Sequence, residues 1–446
     1  MEVMASTTKP SGIPWLGEVP AHWEVKRLKH VSSIRYGVGV TLEYVEEGLQ
    51  FVRATDVFRG KIRTEEMKLV NPEDVPWSRN PGLHVGEIIV VRSGAYTGDS
   101  AIIPQELEGS IAGYDMVATA TKAHPEFIAY SLLSKYILEA QLHLATMRAA
   151  QPHLNSEELG NIIVILPPLP EQRAIAAFLD ERTARIDGLL ARKQRLVQLL
   201  KEKRQSLITR AVTRGLDATV RLKESGVPWL GVVPEHWEVK RVKQLASLVT
   251  KGTTPTAEGG GFTEDGEIRF IKVESIGDRM NIIDEMCARI DHAMNATLSR
   301  SQLQELDVLV SIAGAIGRIG LVPNSILPAN TNQAVGIVRV DAIIALPEWV
   351  ALALQSQPSQ EQFVLDNVQS AQANLSLTDL GNTWLVLPSI EEQSNTLRAV
   401  HTTLDRLDAL ITKVEQALLR LQEYRTALIS AAVTGKVRVG GATPIP

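Results

Sequence analysis

One cysteine, Cys287, stands in a chain of 446 residues. A single thiol excludes an intrachain disulfide framework and suits a reducing compartment. No apolar run is long enough to span a bilayer, and the N-terminus carries no signal-peptide pattern. The expectation is therefore a cytoplasmic protein with no membrane association. An excess of positive charge is missing too. The formal net charge of −5 argues against non-specific coating of nucleic acid, although it leaves room for a local basic face.

Signatures of catalysis and of cofactor binding are equally thin. The glycine-rich run Gly314-Ala-Ile-Gly317-Arg-Ile-Gly320 lacks the Lys-Ser/Thr of a phosphate loop and reads as a tight turn. The tripeptides Glu24-Val25-Lys26 and Glu238-Val239-Lys240 match half of a nuclease signature, with no suitably spaced acidic partner upstream. The nine histidines form no tight cluster with other ligand types, so no metal site is expected. His22-Trp23 and His236-Trp237 read as packing elements.

What the chain does have is a duplication. Residues 11–29 (SGIPWLGEVPAHWEVKRLK) and 225–243 (SGVPWLGVVPEHWEVKRVK) agree at fifteen of nineteen positions. Downstream of each copy lies a proline-free helical stretch, Glu171–Gly215 and 392–435. Pro167, Pro168 and Pro170 stand just before the first, where proline starts a helix. Weaker echoes lie between. Phe51–Val57 resembles Phe270–Ile276, in strand period. Gly86–Ala95 resembles Leu306–Ala315, a buried strand running into a glycine turn; Pro125–Ala129 resembles Pro347–Ala351, opening a helix. Gln151–Pro168 resembles Gln372–Pro388, and residues 253–269 have no counterpart.

Apolar residues along the two stretches recur in steps of three and four, the seam of paired helices. In the first they are Leu179, Ile186, Leu190, Val197, Leu200 and Leu207. In the second they are Leu397, Val400, Leu404, Leu407, Ile411, Val414, Leu418, Leu421 and Leu428, with Arg425 interrupting. The predicted fold is α+β: two mixed α/β domains separated by two long helices that form an antiparallel coiled coil, with a pseudo-two-fold internal repeat. About 40 helical residues make a rod of about 60 Å. The first helix is strongly basic from Arg182 to Arg214, which by charge alone describes a solvated face. Lys193 and Arg204 occupy seam positions, and mark the place to look for a third protein's surface.

Together these features resemble the specificity subunit of a type I restriction-modification system. The resemblance covers nearly the whole chain. Its carriers are the doubled motif Pro14–Arg27 and Pro228–Arg241, the Pro-Leu-Pro-Glu-Gln-Arg of 168–173, and the helix ends 207–215 and 428–435. Ser389–Gln393 is a looser copy of the proline-rich helix start. The resemblance implies two target-recognition domains, each reading half of a bipartite double-stranded DNA target. It implies helices that space the halves and dock two methyltransferase subunits, with motor-nuclease subunits completing the restriction enzyme. It further implies a non-catalytic chain with no cofactor of its own, S-adenosylmethionine being expected on the methyltransferase subunits. Consistent with that, Pro167-Pro168 is flanked by Leu166 and Leu169, not by the Asn/Asp and aromatic of an adenine-methylating loop.

The expected boundaries are 1–166 and 216–387 for the recognition domains, 167–215 and 388–437 for the helices, and 438–446 for a tail. A 60 Å rod limits the half-sites to about 18 base pairs apart, with a spacing nearer one helical turn expected. Base reading calls for paired donors and acceptors on projecting loops. In the first domain the candidates are Arg53, Thr55 and Asp56, then Arg92, Ser93, Tyr96 and Thr97, then Arg148, Gln151 and His153. In the second they are Lys272, Glu274 and Ser275, then Ser311, then Asn330, Asn332 and Gln333, then Gln369 and Gln372. The alternative function is a coiled-coil adaptor presenting two protein-binding domains without DNA recognition.

Overall fold

The computed structural model describes residues 7–143, 153–255, 261–368, 374–437 and 439. It divides into two compact units, Met1–Gln194 with Glu415–Pro446, and Arg195–Val414. Each expected recognition domain lies inside one unit, and each long helix contributes to both. The helices run Leu169–Arg214 and Ile390–Val433, 46 and 44 residues. Among the described residues no helix is long and apolar enough to cross a membrane.

In the first unit a four-stranded antiparallel sheet takes the order 100–102, 88–90, 116–120, 32–36. Its strand Ile88–Val90 shows why an unbroken apolar run suits a central strand. Alternate side chains point to opposite faces. Ile88 and Val90 enter one core with Phe127, Ile128 and Leu132 of the helix Pro125–Leu132. Ile89 and Val91 enter another with Val52, Val57 and Leu107. A second sheet carries Leu49–Val52, and the hairpin Val57–Phe58/Lys61–Ile62 follows it. The second unit repeats the plan, with sheet order 246–251, 335–340, 308–311, 319–321. There Val308 and Val310 face one core and Leu309 another. The glycine run 314–320 makes the turn between strands 308–311 and 319–321.

The duplicated start motif is the clamp of each unit. Its strand Glu24–Arg27 pairs antiparallel with Ile163–Leu166, and Glu238–Arg241 with Trp384–Leu387. Trp23 Nε1 donates to Glu171 Oε1 at 3.1 Å, and His22 Nε2 lies 2.9 Å from the other oxygen. In the second unit Trp237 Nε1 donates to Glu392 Oε1 at 2.9 Å, with His236 Nε2 at 3.1 Å from Oε2. Each glutamate sits in the first turn of a long helix, where the macrodipole favours negative charge. The following glutamines complete the joint. Gln172 Nε2 donates to the Pro167 carbonyl and Gln393 Nε2 to that of Pro388. Their amide oxygens accept from the backbone N–H of His124 and Leu346.

The same indoles reach the end of the other helix. Gly435, at φ +72°, would meet Pro20 and Trp23 with any added Cβ, and Gly215, at φ +71°, would meet Trp237. Each tryptophan therefore joins the start of one helix to the end of the other, which makes the pairing antiparallel within each unit. Of the seam residues, Leu179, Ile186 and Leu428 are buried in the first unit, with Leu190 and Leu421 packed against them and Leu418 half-buried. In the second, Leu200, Leu407 and Ile411 form a cluster with Val197 and Leu207 beside it, and Leu397, Val400, Leu404 and Val414 are buried. Arg204 is not free for a third protein, contrary to expectation. Its Nε donates to Asp408 Oδ1 at 3.0 Å, with both side chains largely buried.

Trp237→Phe keeps most of the apolar ring and deletes the indole donor to Glu392. The loss expected is about 1–2 kcal/mol, since a hydrogen bond to a charged, partly buried acceptor is removed. Urea unfolding followed through signals from the second unit measures it; no loss would show that the clamp rests on packing alone.

Candidate nucleic-acid interface

The turn after strand Ile88–Val90 leads from an interior strand to the edge strand Ser100–Ile102 of the first unit's sheet. Gly94 and Gly98 hold φ of +91° and +92°, and Gly98 N donates back to the Val91 carbonyl at 2.8 Å. Arg92 roots this turn. Its backbone N–H donates to Asp115 Oδ1 at 3.1 Å, and its carbonyl accepts from Leu154 N at 2.7 Å. Its guanidinium lies between two aromatic rings, 4.8 Å from the centroid of Tyr36 and 4.3 Å from that of Tyr114. Arg92 Nη2 donates to His153 Nε2 at 3.1 Å. Ser93 bridges His153 through the backbone, and the Tyr36 hydroxyl accepts from Ser156 N at 2.8 Å. Both tyrosines are exposed. The result is a cationic and aromatic platform in which Arg92 is half-buried and the two tyrosines face solvent in part.

A second basic and aromatic patch lies on the neighbouring hairpin. Tyr96 meets Phe58 edge to face at 6.1 Å, and Arg63 and Arg59 lie over the Phe58 ring at 4.5 and 5.2 Å.

Asp115 sits beneath the platform, 1% exposed. Burial pushes its carboxyl from 3.8 up to about 6, against the opposing pull of the Arg92 N–H and charge. Asp115 Oδ2 and Arg92 Nε have no hydrogen-bond partner among the described residues. The other buried acid of this sheet is treated differently. Burial is the largest single influence on Glu87 and opposes its ionisation. Hydrogen bonds from Arg35, Thr119 and His84 N outweigh that and hold its carboxyl below the usual range.

The second copy serves as an internal control. By strand register Ile312 stands where Arg92 does and Val335 where Asp115 does. The Ala313–Asn374 bridge and the Leu375 N–Ile312 O bond reproduce the backbone joint of Ser93, His153 and Leu154. Lys251 takes the place of Tyr36. The fold thus needs neither the arginine nor the buried aspartate at these positions. The second unit's exposed chemistry is of another kind. Lys272 Nζ lies 4.4 Å over the exposed Phe262 ring, which meets Phe270 edge to face. Thr254 hydrogen-bonds the exposed Gln333, and Glu274, near Lys272 in sequence, is exposed.

Several sequence candidates do other work. Asp56 is buried, and its carboxylate accepts from Arg53 Nε at 2.9 Å and Nη2 at 2.7 Å, so the pair closes a turn on itself. Ser275, Ser311 and Asn330 are fully buried. Ser275 Oγ donates to the Met286 carbonyl, and Ser311 Oγ to that of Ala315. Asn330 Nδ2 donates to Asn295 Oδ1 and to the Leu298 carbonyl. None of the three reaches solvent, because strand ends need their backbone groups satisfied from inside. Asn332 is half-buried, its side chain accepting from Ala334 N at 3.2 Å. Thr55, Tyr96 and His153 are exposed, and Ser93 and Thr97 half-buried. Arg148, Gln151, Gln369 and Gln372 lie outside the described residues. Tyr36, Tyr114 and Asp115 escaped the sequence reading because distant strands bring them to Arg92. Arg59 and Arg63 had a local signal, the basic run around Phe58 in Phe-Arg-Gly-Lys-Ile-Arg. Among the described residues no group of three or more His, Cys, Asp or Glu could hold a metal ion.

Residues 20–198 and 234–420 match the model of the type I restriction modification DNA specificity domain. The chain belongs to that family. It is 27% identical over 396 residues to the type I restriction enzyme EcoBI specificity subunit of Escherichia coli, covering 88% of this chain and 81% of the relative. It is 22% identical over 463 residues to the EcoKI specificity subunit of Escherichia coli K12, covering 94% and 90%. Among solved structures, one describing complex assembly and conformational transition of the type I R-M system superposes with a TM-score of 0.67 at 17% identity, over 94% of this chain and 99% of that one. That likeness is one of fold. Within the specificity family, the two matched segments fall on the two copies of the repeat.

The raised carboxyl of Asp115 sets a pH dependence. Its contribution is favourable in full below 3.8, where both states are protonated, and is lost as pH rises through about 6. Ionising it in the folded chain costs about 3 kcal/mol. Asp115→Asn should therefore raise thermal stability at pH 8, with the gain vanishing near pH 4; melts across that range check it.

Proposed function

We propose that each unit reads one half of a bipartite DNA target, as part of a type I restriction-modification complex. The observation that carries this is the contrast inside the duplication. The clamp residues recur unchanged, whereas Arg92, Asp115 and Tyr36 give way at matched positions to Ile312, Val335 and Lys251. Two readers of different sequences on one scaffold require that pattern.

In the first unit Arg92, Tyr36, Tyr114 and His153 form the base-reading group. Arg92 presents guanidinium donors to a guanine edge, and the tyrosines supply stacking and hydroxyls. Arg59 and Arg63 take phosphates. In the second unit Lys272, Gln333 and Thr254 read, the amide matching an adenine edge. The two long helices set the unread spacer and carry two methyltransferase subunits, which hold S-adenosylmethionine. The chain itself does no chemistry.

Among the exposed apolar residues of the long helices, which include Leu196, Leu199 and Leu419, one pair recurs near the middle of both. Leu189 and Leu410 occupy the same place in the helical repeat, and each is about two-fifths exposed. An apolar residue kept at the same exposed place in both copies suits a partner that binds each copy alike.

Methylation sequencing of host DNA with and without the gene tests the function: one bipartite adenine motif should vanish, and an unchanged methylome rejects the reading. Arg92→Ala should cost roughly 1–3 kcal/mol of binding and relax selectivity in one half-site only. Competition binding with each half-site varied in turn reads this. A heptad inserted at matched points in both helices keeps the seam and adds about 10 Å, so the spacer should lengthen by about three base pairs. Leu189→Glu with Leu410→Glu should abolish co-purification of the methyltransferase while leaving the melting temperature in place.

A further inference from the structure

Two carboxylates on the long helices are used in the same unusual way. In the first unit Asp187 accepts from Arg425 Nε of the other helix through Oδ1, at 2.9 Å. Its Oδ2 lies 2.8 Å from Lys61 Nζ, on the recognition hairpin Val57–Phe58/Lys61–Ile62. In the second unit Asp408 accepts from Arg204 Nε through Oδ1, at 3.0 Å, and its Oδ2 lies 3.6 Å from Arg279 Nε. Arg279 Nη2 also donates to the Asp408 carbonyl at 3.2 Å and to Thr412 Oγ1 at 2.8 Å. In both units one oxygen faces the partner helix and the other faces a recognition domain.

The helix–helix arginines and aspartates are largely buried, with side-chain exposures of 12–18%. The third cations are not: Lys61 is 63% exposed and Arg279 48%. Exposed ion pairs add little to stability, so stability does not account for keeping them. Their placement is also not inherited residue by residue. The hairpin turn holds four residues between Val57 and Ile62 but five between Ile276 and Ile282, and the cation stands at a different position in each. Two diverged hairpins nevertheless deliver a positive charge to the same oxygen of the same repeat aspartate. In the first unit that hairpin also carries Phe58, over whose ring Arg63, the residue after the hairpin, lies, so the element tied to the helix is part of the proposed reading surface.

We infer that Asp187 and Asp408 are positioning residues that fix the orientation of each recognition domain on its helices. One carboxylate oxygen locks the helix register and the other locks the hairpin through Lys61 or Arg279. The consequence for DNA rests on the proposed function: a domain held at one angle accepts one spacer length, and a released domain tolerates neighbours of that length.

The test uses the full chain with Cys287→Ser and spin labels at Ser325→Cys and Lys413→Cys, which report the recognition domain and the helix of the second unit. Arg279→Ala should at least double the width of the distance distribution with the melting temperature unchanged, and Arg279→Lys should restore the narrow one. An unchanged distribution in Arg279→Ala overturns the inference. In the assembled methyltransferase, Arg279→Ala should raise methylation of targets with the spacer one base pair longer or shorter, about tenfold relative to the native target. A widened distribution with unaltered spacer preference would uphold the lock and reject the spacer-setting role of the helices.

Discussion

Everything in this protein hangs on two tryptophans. Trp23 and Trp237 each donate an indole N–H to a glutamate in the first turn of one long helix, and each lies against the glycine that ends the other. A helix start and a helix end are both places where backbone groups lack partners, and a rigid ring between them fixes where each helix begins and stops. The glycines at φ +72° and +71° are required twice over, for the left-handed turn and for the room beside the ring. With both ends pinned, the seam register follows, and with it the positions of the buried Arg–Asp pairs, which would be costly to break.

The duplication separates what the scaffold demands from what reading demands. At one place the scaffold demand is visible as an exchange. Glu87 is answered by Arg35 from the strand 32–36, two places away in the sheet, and its counterpart Asp307 by Arg339 from the adjacent strand 335–340, at 2.8 and 2.7 Å. Thr250 stands where Arg35 does, and Thr119 where Arg339 does. A buried carboxylate at this point must have a guanidinium, but either strand satisfies it. Arg92 and Asp115 obey no such rule. Their counterparts are Ile312 and Val335, so the second unit dispenses with both charges, and the first retains a destabilising carboxylate that its fold does not need. Strain of that kind collects at functional surfaces.

Much of the fold was legible in the residue order. The doubled start motif, the heptad seam and the alternating strands carry their own periodicities, and apolar burial follows periodicity wherever a face is hidden. The glycine turns and the Gly86–Leu306 equivalence were equally readable, but the positive φ that both positions hold was not, since a leucine carries no signal for it. The candidate site was legible only in part. Tyr96 and Gln333 are exposed on loops, Arg92 is half-buried against Tyr36 and Tyr114, and Asp56, Ser275, Ser311 and Asn330 turn inward. A polar residue at the end of a strand has two uses, to meet a ligand or to satisfy the turn, and local sequence does not distinguish them.

The sequence by itself determined that two copies of one scaffold exist, that two long helices pair, and that no disulfide holds them. Those facts depend on repeated spacing, which a one-dimensional string preserves. Only the tertiary structure decided which charges are free. Arg204 and Arg425 look like flaws in an apolar seam, yet each is consumed by an aspartate on the facing helix. Tyr36, Tyr114 and Asp115, from strands and turns far apart in the chain, converge on Arg92. Partners of that kind are chosen by sheet order and helix direction, which fix distances that residue spacing does not contain.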